Sequence, residues 1–159
     1  MMTEKLQKQL NEQITAELWS ANLYRSMAYY MQREGYEGFA TWMKKQAHEE
    51  IGHADKIADF MIMRQAIPKI DKIDVVPQSW GNIAEAFESA YKHEQHVSQL
   101  YNVLIKTASD EKEPATQNFL WEFVKEQVEE EGKFLNIVQK LKKAGDSSIF
   151  YLNHVLGGN

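Results

Sequence analysis

Apolar residues recur in alternating steps of four and three along four stretches of this chain. Each run is broken near its middle by a carboxylate. The first reads Leu10, Ile14, Glu17, Ala21, Tyr24, Ala28, Met31, and the second Phe39, Met43, Gln46, Glu50, His53, Ile57, Phe60. The third reads Ile83, Phe87, Ala90, Glu94, Val97, Tyr101, Leu104, Ala108, and the fourth Leu120, Phe123, Gln127, Glu130, Phe134, Ile137, Leu141. This spacing is one face of a helix packed in a bundle. The interrupting carboxylates therefore fall at core positions, where a charge is costly unless paired or bound to a metal.

Local signals set the boundaries. Thr3 can cap a first helix that runs to about Glu34, where Gly35 stops it. Gly35 to Gly38 is so short a connection that the second helix, Glu37 to Arg64, must be an antiparallel neighbour. The stretch from Gln65 to Gly81 (QAIPKIDKIDVVPQSWG) has no helical period and is long enough to run the length of a bundle. Its apolar residues Ile67, Ile70, Ile73, Val75, Val76 and Trp80 predict that it lies against a surface. Asn82 with Glu85 is a capping box for the third helix, and Pro114 suits the first turn of the fourth. Lys140, Lys142, Lys143 and Gly145 suit that helix's end. Asp146 or Ser147 could cap a short fifth helix, about 148 to 156, apolar through Ile149, Phe150, Leu152, Val155 and Leu156. The expected fold is all-α: a four-helix bundle with a long crossover between helices 2 and 3 and a short fifth C-terminal helix. One domain spans 1–159.

Composition narrows the function. No cysteine is present, which excludes a disulfide scaffold, thiol catalysis, Cys-based zinc sites and cysteine-ligated iron–sulfur clusters. A net charge of -5 weighs against nucleic acid as a partner. No apolar run approaches membrane-spanning length, and the N-terminus has no signal-peptide core. A soluble cytoplasmic protein is expected, with no membrane partner.

The chemistry lies in the interruptions. In an antiparallel bundle, helix midpoints share one level, so Glu17, Glu50, Glu94 and Glu130 should meet on the axis, with His53, Gln127 and the Tyr24 hydroxyl near by. A single such Glu could be an exposed residue; four at one level are hard to explain that way. Glu50 and His53, three apart, share one helix face. No Lys or Arg occurs in the four rows. Four carboxylates in an apolar interior repel, and two divalent cations would neutralise them. Carboxylates with one imidazole and no thiolate suit iron or manganese, and a pair of such metals suits two-electron oxidation of Fe(II). A zincin reading of His48-Glu49 fails, because His53 is five residues after His48 instead of four. His93, His96 and His154 read as surface or interface residues. Trp19, Trp42, Trp80 and Trp121 fall off the rows and could contact the crossover or another subunit. From periodicity alone Glu49, Glu126 and Glu129 lie beside the rows, on the surface.

The segments NEQITAELWSANLY (Asn11 to Tyr24), HEEIGHA (His48 to Ala54), YKHEQ (Tyr91 to Gln95) and EQVEEE (Glu126 to Glu131) resemble the bacterial non-haem ferritins, and the similarity covers essentially the whole chain. The resemblance implies a ferroxidase centre inside each subunit, oxidising Fe(II) with O2 or H2O2. It implies one iron site at Glu17, Glu50 and His53. A second is implied at Glu50, Glu94 and Glu130, with Glu50 bridging, Gln127 close by and Tyr24 beside the centre. Glu49, Glu126 and Glu129 match a third, accessory iron site. A homo-oligomeric, hollow twenty-four-subunit shell storing ferric mineral is also implied. The chain departs from bacterioferritins in two places. Gln127 and Glu130 stand where those proteins carry a second Glu-x-x-His, and Gly52 falls where their haem-binding Met would be, so no haem is expected. A rubrerythrin-like peroxidase would normally carry a Cys-rich module, and a DNA-protecting mini-ferritin places its sites between subunits. A bundle with empty carboxylates serving as an adaptor is the non-enzymatic alternative.

Overall fold

Thr3 opens the first helix in extended backbone, its hydroxyl accepting the Leu6 N–H at 3.2 Å. In the computed structural model, which describes residues 1–158, this helix, α1, spans Glu4–Arg33, and Gly35 ends it at φ 87, a left-handed conformation that glycine adopts without strain. α2 (Glu37–Met63) begins two residues later and lies back along α1. α3 (Ile83–Asp110) starts where Asn82 Oδ1 accepts the Glu85 N–H at 2.8 Å, and α4 (Pro114–Lys143) opens on its proline. α5 covers Asp146–Gly157. Among the described residues there are five helices and no strand, as expected. None of these helices is long and apolar enough to cross a membrane. α1 packs chiefly on α2 and α3 chiefly on α4.

The apolar rows do not fuse into one core. Leu23, Met27, Met31, Phe39, Met43, Phe87, Phe134 and Ile137 build one cluster, with Phe39 edge-on to Phe87 at 5.4 Å. Leu6, Leu10, Ile57, Met61, Leu104, Leu120 and Phe123 build another, with Tyr101 stacked on Phe123 at 5.0 Å. Each fully buried side chain of this size contributes about 1.5–3 kcal/mol of transfer free energy. Between the clusters lies the polar layer that the carboxylates occupy.

The crossover does lie along α1. Asn11 grips one end, donating to Ile67 O at 3.2 Å and accepting from Lys69 N at 2.7 Å. Ser26 Oγ donates to Pro77 O at 2.5 Å near the other end. The attachment differs from the expected apolar one. Val76 and Trp80 pack on the core, whereas Ile67, Ile70 and Val75 are 68%, 72% and 84% exposed. Polar side chains on α1 hold the backbone here, which leaves alternate apolar side chains facing out. Trp19 and Trp42 also pack against the first cluster, and Trp121 stays about half exposed.

α5 starts earlier than expected: Gly145 takes the cap position, and Asp146 sits in the first turn, where its charge suits the helix dipole. A helix this short needs a docking site. Phe39 N donates to Asn153 Oδ1 at 2.9 Å, Tyr36 stacks on Phe150 at 5.7 Å, and Leu152 enters the first cluster. Gly38 makes the approach possible, since a Cβ there would sit 1.8 Å from the Asn153 carbonyl oxygen.

Candidate metal centre

Each long helix brings its interruption to the middle of the bundle. Glu17, Glu50, His53, Glu94, Gln127 and Glu130 are all at most 3% exposed. Their ligand atoms form two groups, Glu17 with Glu50 and His53, and Glu50 with Glu94 and Glu130, each within 4.8 Å. Glu50 belongs to both. His53 Nδ1 stands 3.4 Å from Glu50 Oε2 and 3.5 Å from Glu17 Oε2.

Hydrogen bonds satisfy one oxygen of Glu17 and both of Glu94, and leave the other Glu17 oxygen and both of Glu50 free. Glu17 Oε1 accepts from the Tyr101 hydroxyl and, at 3.2 Å, from Gln13 Nε2. Glu94 accepts from the Tyr24 hydroxyl on Oε1 and from Gln127 Nε2 at 3.0 Å on Oε2. Glu17 Oε2, both Glu50 oxygens and His53 Nδ1 are buried and have no hydrogen-bond partner. Their spacing about His53 is that of an ion pair without hydrogen-bond geometry. Buried polar atoms are rarely left so, and four of them aimed at one space fit a cation.

The charges agree with this. Burial pushes the Glu50 carboxyl well above its ordinary value, and the Glu17 charge beside it pushes further the same way. Burial also raises Glu94, to about 7, against the hydrogen bonds from Tyr24 and Gln127. Burial opposes a charge on His53, but Glu17 and Glu50 more than offset it and raise the imidazole to about 12. Glu17 is lowered: burial works against its charge, and the close Glu50 carboxyl, the His53 imidazole 3.5 Å away and the bond from Tyr101 outweigh it. Without metal, one carboxylate thus keeps its charge beside an imidazolium while its neighbours hold protons.

The expected residues divide in two. Glu17, Glu50, His53, Glu94, Glu130, Gln127 and Tyr24 come together. Glu49, Glu126 and Glu129 are not gathered so closely. Glu126 Oε1 lies 2.9 Å from His53 Nε2, Glu49 Oε2 lies 3.5 Å from Lys133 Nζ, and Glu129 is exposed. His93 departs from the surface reading: its Nε2 is 2.7 Å from Ser20 Oγ, its ring is 5.0 Å from Trp19, and burial lowers it to about 4. Tyr101, Gln13 and Lys133 touch the centre although the rows did not single them out. Tyr101 could have been found, because it sits seven residues after Glu94 on the same row. Lys133 lies one turn after Glu130, just off its row, and its Nζ reaches Glu130 Oε1 at 2.9 Å.

A four-helix bundle with two carboxylate-rich ligand groups at mid-height is the ferritin-like class, although the usual second Glu-x-x-His is here Gln127 and Glu130. The family model described as the ferritin-like domain matches residues 7–144, and the chain belongs to the ferritin family. It is 56% identical over 157 residues to a bacterial non-heme ferritin of Bacteroides fragilis strain 638R, covering 99% of each chain. It is 33% identical to a bacterial non-heme ferritin of Escherichia coli O157:H7, covering 92% of this chain and 89% of that one. Among solved structures, an open pore ferritin from the hyperthermophilic archaeon Archaeoglobus fulgidus superposes with a TM-score of 0.97 at 40% identity, covering 99% of this chain and 98% of that one.

Proposed function

We propose that this chain oxidises Fe(II) at a pair of sites within one subunit and stores the Fe(III) as mineral inside a shell of its own copies. The observation that carries the reading is Glu50, a buried carboxylate with no hydrogen-bond donor, shared by two ligand groups. In this reading Glu17, Glu50 and His53 hold one ferrous ion, and Glu50, Glu94 and Glu130 hold the other. Gln127 fixes Glu94, and Tyr24 and Tyr101 orient their carboxylates from outside. Each Fe(II) gives one electron, and dioxygen takes the pair with two protons to leave as hydrogen peroxide. Peroxide as oxidant takes the pair with two protons and leaves as water. Glu49, Glu126 and Glu129 serve a third, accessory iron that binds more weakly. The ligands are hard oxygen donors with one imidazole, a set that suits iron. The stored state is a twenty-four-subunit shell in the cytoplasm, with iron as its only metal and no haem. Family membership supports iron storage, and the acidic centre supports the oxidation.

The test joins size and chemistry. Light scattering on the eluting protein should give a particle many times the chain mass. Aerobic Fe(II) should then raise near-ultraviolet ferric absorbance rapidly and without precipitate. A small species that leaves iron to oxidise at the buffer rate would overturn the reading.

A further inference from the structure

A histidine ligand offers one ring nitrogen as a lone pair, and the bond made by its other nitrogen decides which one. His53 on α2 turns Nδ1 toward Glu50 Oε2 and Glu17 Oε2, and that atom is buried without a hydrogen-bond partner. The opposite nitrogen, Nε2, lies 2.9 Å from Glu126 Oε1 on α4. A carboxylate oxygen accepts, so the proton in this bond is the imidazole's. One turn earlier on α4, Phe123 stands edge-on to the same ring, 5.7 Å between centroids. α4 thus holds the ring of a side chain that α2 carries. A half-turn of that ring about its Cβ–Cγ bond would put carbon where each nitrogen now stands and would break the bond to Glu126.

We propose that Glu126 is a positioning residue for the imidazole site: by accepting the Nε2 proton it fixes the tautomer and orientation of His53, so that the Nδ1 lone pair faces the position shared with Glu17 and Glu50. The inference rests on the two-site reading above and gives Glu126 a task within it. Whichever protons the empty ring carries, the one on Nε2 is retained when Nδ1 is offered to a cation. An exposed pair of this kind would contribute little, because water screens it. Here the His53 side chain is 4% exposed and that of Glu126 35%, so the imidazole end of the bond is sheltered. The other ligand group, Glu50, Glu94 and Glu130, contains no imidazole. Loss of the bond therefore bears on one of the two positions and spares the other.

The experiment is anaerobic titration of the metal-free protein with Fe(II), read by calorimetry. The parent, Glu126→Ala, Glu126→Gln and Glu50→Ala are compared. The parent should show two tight equivalents per chain. Glu126→Ala should weaken one of them by about tenfold or more, the usual effect of deleting a carboxylate behind a histidine ligand, and leave the other close to the parent. Glu126→Gln removes the charge but keeps an oxygen that accepts from Nε2, so it should restore most of that loss. A Glu126→Ala protein that keeps both equivalents, or weakens both alike, overturns the proposal. So does a loss in Glu126→Gln as large as that in Glu126→Ala, because the effect would then be one of charge and not of the bond. If Glu50→Ala at the same time loses the two tight equivalents, the two-site reading stands and only the role of Glu126 falls. If Glu50→Ala keeps both tight equivalents, the two-site reading fails, and this inference with it.

Discussion

The Tyr101 hydroxyl on α3 donates to Glu17 on α1, a bond between buried residues 84 positions apart in the chain. It crosses the bundle at the level of the centre and removes one carboxylate oxygen from competition. Tyr24 does the same to Glu94. Each phenol holds an oxygen that would otherwise be a loose charge, and burial beside those carboxylates drives both phenols well above their usual range. Tyr101→Phe should lower the stability of the metal-free protein by about 1–3 kcal/mol, the cost of a buried acceptor left short of a donor. Urea unfolding in the presence of a chelator measures this, and an unchanged midpoint would show that the bond contributes nothing net.

Glu50 predicts the opposite sign. Its two oxygens are buried without donors. Glu50→Gln replaces a carboxyl that must take up a proton at neutral pH to stay buried beside Glu17, so the metal-free variant should be more stable than the parent by about 1–3 kcal/mol. The same change should slow Fe(II) oxidation by more than tenfold and abolish the rise in melting temperature on adding Fe(II) anaerobically. A variant both less stable and still active would contradict the assignment of Glu50 as the shared ligand.

The pH dependence of the empty protein follows from Glu50 and Glu94. Both are raised above the ordinary 4.5, Glu94 to about 7. A folded carboxyl with a raised value binds its proton more tightly than the unfolded chain does. The associated stability is therefore present below about 4.5 and is lost as pH climbs toward about 7. His53 does not reverse this, because its contribution is complete below 6.5 and is lost progressively as pH rises from there toward about 12. Metal binding runs the other way, since it needs deprotonated carboxylates. Melting temperatures should fall from about pH 5 to pH 7.5 without metal, and the increment given by Fe(II) should grow over the same range.

Gly38 predicts a local failure. A methyl group there collides with the backbone of Asn153. Gly38→Ala should undock α5, expose Leu152 and lower the melting temperature, while α1 to α4 keep their fold. Hydrogen exchange checks this directly: protection should vanish over 146–157 and persist at Leu10, Ile57 and Leu104.

Asn11 ties down the crossover with two bonds to its backbone. Asn11→Ala should cost about 1–2 kcal/mol and make residues 65–75 a preferred site of limited proteolysis. Equal digestion of parent and variant would show that Ser26 and Trp80 suffice.

Much of this was legible in the sequence. The four-three rows placed Glu17, Glu50, Glu94 and Glu130 at one level because helix periodicity and short loops determine both face and height. Thr3, Gly35, Asn82 and Pro114 marked helix ends because each meets a specific backbone need. What escaped was whatever depends on side-chain reach. Lys133 lies off its row, but a four-carbon stem lets it return to Glu130. Tyr101 reads as an apolar core residue until its hydroxyl finds Glu17. Gln13 is one turn before Glu17 on the neighbouring row, and only the built helix shows its amide bending inward. The crossover has no period, so its sequence could not say which apolar side chains would face out.

The split between the two apolar clusters has a further consequence. Each half of the bundle is packed on its own, and the layer between them holds repelling or protonated carboxylates when no cation is present. That layer is a seam of buried polar side chains between two apolar blocks. Ions that bind the folded seam and not the unfolded chain close it by mass action. Loaded molecules therefore outlast empty ones wherever unfolded chains are cleared, so that the supply of metal governs the lifetime of the protein that keeps it.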